Sequence, residues 1–420
     1  MLDLKLIRED PDAVDAALKR RGAGGAVQEL LDLDKERRGL QARIDELRAE
    51  QKSAGREVAK LQGDEKKQLL ARLKTFSDEL VAIEQQEQVV AARLRDRLLL
   101  IPNLPHESVP DGAGEDDNVV LRTWGEARGP SEDLRHHLDV GEALGIIDVE
   151  RAARASGSRF AYLQGGAALL WLGLSRFVIE TLARNGHTPV LPPVLVRREA
   201  MEGTGFFPGS GEEQIYRIPD DELYLVGTSE VPLAALHMGE ILTPDQLPLR
   251  YVAQSSCFRR EAGAHGKDVR GIIRLHQFEK VEMFVFTTPE QSWEEHERLI
   301  AVEEEILQAL GLPYRAVALC TGDLGGPSAR TIDLEVWFPG QGRYIESTSC
   351  SNTTDYQARR LNTRYRTDDG PRFTHTLNGT AATSSRHIAA IIENYQRSDG
   401  GVDVPDVLRP YVGADVIPAR

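Results

Sequence analysis

The feature that most constrains this chain is a heptad pattern running from Val27 to Ile101. Leu33, Arg37, Leu40, Ile44, Leu47, Gln51, Ala54, Val58 and Leu61 follow one another in steps of four and three. After Gly63-Asp64 the register restarts with Leu69, Leu73, Phe76, Leu80, Ile83, Glu87, Val90, Leu94, Arg97 and Ile101. The intervening residues are mostly charged, so each segment is apolar along one narrow stripe, the seam of a coiled coil. Two matched segments joined by a short Gly-containing turn predict an antiparallel helical hairpin. Helices of about 34 residues would span roughly 50 Å at 1.5 Å per residue. A hairpin that buries only its seam can project far from the body that carries it.

The charge on this arm is uneven. Between Arg48 and Lys74 stand eight Lys or Arg against four Asp or Glu, in a chain whose formal net charge is -15. The pattern alone fits a solvated coiled-coil face as well as a surface for a phosphate backbone. The acidic total argues against diffuse nucleic-acid binding without excluding such a local basic surface. The start of the chain, MLDLKLIREDPDAV, has no apolar core of signal-peptide length. No apolar run approaches the roughly 18 residues of a membrane span. Cys257, Cys320 and Cys350 are too few and too scattered for a disulfide framework and form no CxxC pair, which fits a reducing cytoplasm.

The stretch IPNLPHESVPDGAGEDDN, 101–118, is rich in Pro, Gly and acid and reads as a domain boundary. We therefore expect an N-terminal unit over 1–110, with its arm at about 27–101, and a second domain over 111–420. In the second domain Leu169 to Asn185 reads as an amphipathic helix, with further helices at Pro289–Leu310 and Arg386–Tyr395. Strands are expected at Tyr224–Val226, Leu249–Ala253, Ser255–Arg260, Ile272–Phe286, Thr331–Trp337 and Tyr344–Ser349. Hairpins and long loops between them, rather than βαβ units, predict an α+β fold: a mainly antiparallel sheet flanked by helices.

Four stretches carry the chemistry. FRREAGAHGKDVRGIIRLHQFEKVEMF, Phe258 to Phe284, holds six Lys or Arg against four Asp or Glu. Read as a strand, Arg274, His276, Phe278, Lys280, Glu282 and Phe284 share one face, with Arg274, Phe278 and Glu282 in steps of about 13 Å. A guanidinium pairs with phosphate, an aromatic stacks on a base, and a carboxylate holds an ammonium or hydroxyl. Arg259 and Glu261 are expected to share a face of the preceding strand. VGTSE, 226–230, puts Thr228 and Glu230 on one side of a short segment. IESTSCSN, 345–352, joins Glu346 to Ser347, Thr348 and Ser349, a donor set suited to a hard cation riding on a phosphate. LNGTAATSSRHIAAIIENYQ, 377–396, is a small-residue loop running into a helix that starts with Arg386, where an anion would be favoured. The chain holds no GxxxxGK[ST], so an ATP site here would do without a P-loop. Taken singly, each stretch also fits a polar loop or an exposed strand.

Together they resemble the class II aminoacyl-tRNA synthetases. FRxE, followed by a segment with Arg274 and Phe278, is similar to motif 2 of that class. The loop leading into Arg386 is similar to motif 3, and the helix ending at Gly186 before Pro193 to motif 1, a dimer-interface element. Within the class, TGFFP, GTSEVPL, ESTSCSNTTDYQARR, NGT…R…ENYQ and HHLDVGEALGIIDVERAARASGSRF resemble the seryl-tRNA synthetase family, in order and over essentially the whole chain. Ala381 and Ser385 stand where the motif 3 pattern often has Gly, and Thr348 and Thr354 differ from the commoner family residues.

The resemblance implies an ATP-dependent ligase that activates L-serine as its adenylate and passes it to tRNA(Ser), and to tRNA(Sec) where a cell has it. It implies ATP binding by Arg259, Arg260, Glu261, Arg274, Leu275, Phe278, Glu346, Ser347, Thr348, Ser349 and Arg386, with Arg259, Arg274 and Arg386 in the catalytic role. It implies a serine pocket of Thr228, Ser229, Glu230, Arg259, Glu282 and Thr380, and Mg²⁺ held with ATP by Glu346 and Ser349. Zinc is not expected, because no Cys/His set has ligand spacing. A homodimer whose arm takes the long variable arm of the tRNA, with no membrane contact, completes the expectation. A different class II ligase would bring a C-terminal anticodon-binding domain, for which the residues after the Arg386 helix are too few. A non-catalytic tRNA-binding relative is opposed by the retention of Arg259, Glu261, Phe278, Glu282 and Arg386.

Overall fold

The computed structural model describes residues 1–58, 60–129, 134–209, 211–262 and 270–420. Positions 263–269 of the basic stretch lie outside the described residues. The chain divides into two compact units, Leu2–Pro102 and Asn103–Arg420, the latter including Met1.

The first unit is dominated by α1 (Val27–Val58) and α2 (Gly63–Leu100), which pack against each other as the heptads require. Every heptad position from Leu33 to Leu61 is buried or half-buried. On α2 the same holds for all except Arg97, which turns out to pair with Glu29 at 2.8 Å. The two other charged seam positions, Arg37 and Glu87, approach to 3.8 Å across the helices. Arg43–Glu79 adds a rung farther out and Arg48–Glu84 a diagonal pair, each at 2.8 Å. Burial deepens toward the open end of the hairpin, where Leu47, Ile44, Val90 and Leu94 are fully enclosed.

Residues 103–118 lie against the second unit rather than hanging free. Asn103 Nδ2 donates to the carbonyls of Pro327 and Thr353 at 2.9 and 2.8 Å, and the His106 amide to Ala329. This unit is built on a sheet of β1 (Val119–Trp124), β2 (Thr188–Val190), β3 (Leu249–Phe258), β4 (Gln277–Thr287), β5 (Tyr314–Ala318), β6 (Arg330–Phe338), β7 (Arg343–Thr354) and β8 (His375–Thr383). Their spatial order is β1-β5-β6-β7-β8-β4-β3-β2, antiparallel except for the β2–β3 pair. Five further helices matter here: α3 (His137–Leu144), α4 (Gly166–Arg184), α5 (Glu230–Ala235), α6 (Ser292–Ala309) and α7 (Arg386–Asn394).

Alternation along the strands divides the sheet into two faces. Val281, Met283 and Val285 of β4 and Ile332, Leu334 and Val336 of β6 point into the main core, where Leu170, Leu174, Val178, Leu299, Ile306, Ile388 and Ile391 of α4, α6 and α7 cover them. Phe278 and Lys280 point the other way, into an open cavity. The helix α4 is long and apolar enough to cross a membrane, with mean hydropathy 1.4, which the sequence reading did not anticipate. Ten of its residues are buried, so that hydrophobicity is spent on the core.

The strand readings need four corrections, the first being that 377–383, read as a small-residue loop, is part of β8. Leu249–Ala253 and Ser255–Arg260 are one strand that ends at Phe258, so Arg259 and Glu261 lie beyond it. The expected strand from Ile272 begins only at Gln277. Gly271 (φ +88°) turns the chain so that Ile272 and Ile273 are both buried, and the Ile272 amide bonds to His137 instead of to a neighbouring strand. The strand Tyr344–Ser349 continues to Thr354.

The seam, not the surface ion pairs, should hold the arm together. Leu47→Ala is expected to cost about 2–5 kcal/mol in denaturant unfolding of the first unit's helices. Arg43→Ala, which removes a partly exposed pair, should cost less than about 1 kcal/mol.

Candidate active site

The cavity on the open face measures about 360 Å³. Its floor depends on a backbone clamp beyond the ends of β3 and β4. The Arg259 amide donates to the His276 carbonyl at 2.9 Å, and His276 Nδ1–H donates to the Arg259 carbonyl at 2.9 Å. The chain then turns at Glu261 (φ +50°), a left-handed conformation that a side chain adopts only when its surroundings enforce it. Gln214 supplies that enforcement. Its carbonyl accepts from the Arg260 amide (2.8 Å), its Nε2 donates to the Ala262 carbonyl (2.8 Å), and its Oε1 accepts from the Ala262 amide (3.1 Å).

Guanidinium groups line this floor in pairs with acids. Arg274 lies 3.3 Å from Glu261, and Arg386, at the start of α7, lies 2.8 Å from Glu346 on β7. The Arg259 guanidinium sits 5.3 Å from the Phe278 ring centroid, with Nε donating to the Gly227 carbonyl at 3.3 Å.

Behind the lining lies a compartment of carboxylates and hydroxyls. Lys280 is ion-paired with Glu282 and donates to Thr380 Oγ1 at 3.3 Å, and Thr380 donates to Glu282 at 3.3 Å. Glu230 accepts from Gln357 (2.6 Å) and Asn378 (3.1 Å), both on Oε1. Burial, followed by the nearby Glu282 charge, pushes the Glu230 carboxyl up to about 7.

Two β-bulges bring unequal spacings into register. One falls at Ser347, since Leu334 pairs with Thr348 while Glu335 pairs with Glu346. Glu346 and Ser347 therefore both reach the cavity although they are consecutive. The other falls at Ala381, where Val281 pairs with Ala382 and Glu282 with Thr380. Ala381 and Ala382 both enter the core, and Thr380 and Thr383 both face the cavity.

Of the residues singled out in the sequence, Arg259, Glu261, Arg274, Leu275, Phe278, Glu346, Ser347, Thr380 and Arg386 line the one cavity. Thr228, Glu230 and Glu282 lie behind the lining, with Thr228 Oγ1 accepting from the Glu230 amide at the start of α5. Ser229 is buried, and its hydroxyl is committed to Ser255 at 2.6 Å. Arg260 is exposed and outside the lining, and its backbone amide bonds to Gln214. Thr348 corrects the expectation of a lining residue. Past the bulge its side chain faces the helices and donates to Glu303 of α6 at 2.8 Å.

Ser349 donates to Asp333, a buried carboxylate beside Glu346. Burial, with Glu346 next to it, raises the Asp333 carboxyl well above the usual range, and among the described residues its Oδ1 has no hydrogen-bond partner. Asp333, Gln214, Gln357, Asn378, Lys280 and His276 were given no role from sequence. Lys280 and His276 stood in the alternating face already marked by Phe278 and Glu282. Asn378 and Gln357 lay inside quoted stretches and Asp333 inside an expected strand, but nothing local set them apart, and Gln214 lay outside every stretch quoted for the site.

A mainly antiparallel sheet with α4, α6 and α7 packed on one face and an arginine-lined cavity on the other is the arrangement of a class II aminoacyl-tRNA synthetase core. The profile described as the tRNA synthetase class II core domain (G, H, P, S and T) matches residues 215–395, and the seryl-tRNA synthetase N-terminal domain matches residues 1–105. The chain is 51% identical over 419 residues to a serine–tRNA ligase of Thermobifida fusca, covering 99% of each. It is similar to the structure of seryl-tRNA synthetase from Pyrococcus horikoshii complexed with ATP (TM-score 0.94, 43% identity, 100% of each chain). It is also similar to the cytoplasmic serine–tRNA ligase of Naegleria fowleri in complex with AMP (TM-score 0.89, 33% identity, 100% and 99% covered). The chain belongs to the seryl-tRNA synthetase family, whose members are ATP-dependent ligases.

A carboxylate-resolved NMR titration should give Glu230 a midpoint near 7. In Glu282→Gln, where the neighbouring charge is removed, that midpoint should move down, because the ionised form is then penalised less.

Proposed function

We propose that the chain activates L-serine with ATP and transfers it to tRNA(Ser), with the cavity as the site of both steps. The observation that carries this reading is the combination of an arginine-lined floor with a carboxylate and hydroxyl compartment directly behind it. ATP lies on the floor, its adenine against Phe278 and near Glu261 and the Leu275 backbone, and its phosphates among Arg259, Arg274 and Arg386. Serine occupies the compartment. Its ammonium is held by Glu230 and the Thr228 segment, its carboxylate by Arg259, and its hydroxyl by Glu282 and Thr380.

The serine carboxylate, already ionised at neutral pH, attacks the α-phosphorus. The new bond joins carboxylate oxygen to phosphorus, the bond to the β-phosphate oxygen breaks, and pyrophosphate leaves. No strong base is needed; orientation and the three guanidinium groups do most of the catalysis. The terminal ribose hydroxyl of the tRNA, the 3′-hydroxyl by class pattern, then attacks the acyl carbon, and AMP leaves. Alanine offers Glu282 and Thr380 no hydroxyl to engage, and a site built to hold a hydroxyl can discriminate by about 10⁴–10⁵.

Glu346 and Ser349 would hold Mg²⁺, and the buried Asp333 oxygen beside them, without a hydrogen-bond partner among the described residues, fits a hard cation. When bound, the ion would neutralise phosphate charge. The basic stretch of the arm would take the tRNA. The exposed Leu169 and Leu172 of α4, with Leu191 after the edge strand β2, would pack in a homodimer. The three cysteines are free and buried, in keeping with work in the cytoplasm.

Amino-acid-dependent ATP–pyrophosphate exchange tests the activation step. Exchange is expected with serine alone, and Glu282→Ala should reduce it by about 10–100-fold or more through loss of a charged hydrogen bond. Exchange with another amino acid, or none, would overturn the reading. Substituting exposed Lys66 and Lys67 together by Ala should weaken tRNA binding and flatten its salt dependence while leaving serine-dependent exchange unchanged.

A further inference from the structure

The segments that carry Arg274, Glu346 and Arg386 meet a second time, away from the cavity, at one buried carboxylate. Glu393 lies two turns along α7 from Arg386 and is fully enclosed. Its Oε1 accepts from the His137 amide (3.1 Å), from His137 Nδ1–H (2.7 Å) and from Gln341 Nε2 (2.9 Å). Its Oε2 accepts from the Gly340 amide at 2.9 Å. Gly340 and Gln341 form the turn that leads into β7 and Glu346.

His137, equally enclosed, extends the network to the third segment. Its Nε2 accepts from the Ile272 amide at 3.1 Å, two residues before Arg274. An amide can only donate, so the ring proton sits on Nδ1, where it is given to Glu393. Two glycines shape the joint. A Cβ at Gly271 would stand 2.1 Å from His137 Nε2, and one at Gly340 would stand 2.9 Å from Glu393 Oε2.

His136, His137 and Glu393 also lie close enough to suggest a metal site. Their donors are spent inside the protein: both nitrogens of His137 and both oxygens of Glu393 are bonded, and His136 Nδ1 accepts from the Leu138 amide. Burial pushes the Glu393 carboxyl up, and the bonds from His137 and Gln341 outweigh it and hold it below the usual range.

We propose that His137 and Glu393 are a positioning pair that fixes Arg274, Glu346 and Arg386 relative to one another, and so sets the fit of the site to the outer phosphates of ATP. The inference rests on the phosphate roles given to those three residues under the proposed function. The serine compartment is tied to other elements, so the effect should be confined to ATP. By analogy with residues that orient metal ligands from behind, Glu393→Gln should raise the ATP KM about 10-fold or more. The serine KM, and binding of AMP, which lacks the β- and γ-phosphates, should stay unchanged.

The test is serine-dependent exchange for both KM values, calorimetry with AMP, and Arg386→Ala as reference. Should Glu393→Gln fail to fold, His137→Gln and the half-buried Gln341→Ala read the same quantities. A selective loss toward ATP supports the pair. Equal losses toward ATP and AMP, or a lowered melting temperature with unchanged KM values, overturn it. If Arg386→Ala raises the ATP KM and the pair variants do not, the positioning role falls and the phosphate reading stands. If Arg386→Ala leaves the ATP KM unchanged, the phosphate reading falls and takes this inference with it.

Discussion

The architecture of the site follows from the cost of burying charge. An ion taken out of water must be paid for by a partner, and a lone buried charge costs several kcal/mol, roughly speaking. Here the buried Lys280 lies against Glu282, and on the partly open floor Arg274 lies against Glu261 and Arg386 against Glu346. Arg274–Glu261 and Arg386–Glu346 each tie two separate segments together, so charge balance and backbone placement are one problem. A charged ligand entering such a cavity exchanges partners with groups that are already oriented, which is the economical way to keep a polar site rigid.

Where local periodicity governs structure, the sequence was a good guide. The arm follows its heptads almost residue by residue, because a two-helix seam has no other way to hide its apolar stripe. The alternation around Phe278, Lys280 and Glu282 was also legible. Alternation failed at Ser347 and Ala381, where bulges insert a residue, and this is why Thr348 faces α6 instead of the cavity. It failed again before Gln277, where Gly271 and His137 divert the chain from a strand, leaving Arg274 in a loop. Each failure comes from a partner distant in sequence, which no local pattern encodes. Gln214 and Asp333 escaped notice for the same reason, since their importance lies in what they meet. The stretches grouped by the family resemblance do meet in the fold, where residues from 258–284, 345–352 and 377–396 line one cavity.

The two units solve different physical problems. The sheet unit excludes water from a small volume and arranges charge inside it. The hairpin encloses almost nothing and presents surface. Its seam needs Leu, Ile and Val at intervals of three and four, and leaves the remaining positions free to carry charge.

The pairing of α1 with α2 has a consequence for how such an arm can change length. Arg37 faces Glu87 and Arg43 faces Glu79, so stepping outward from one level to the next raises the number on α1 and lowers it on α2, while Arg48–Glu84 runs diagonally between levels. Deleting residues from a single helix would misalign every level beyond the cut. Removing one heptad from each helix at matching levels would shorten the arm by about 10 Å and leave the remaining contacts intact. The hairpin behaves as a graduated rod, whose reach can be reset in whole divisions without disturbing its base.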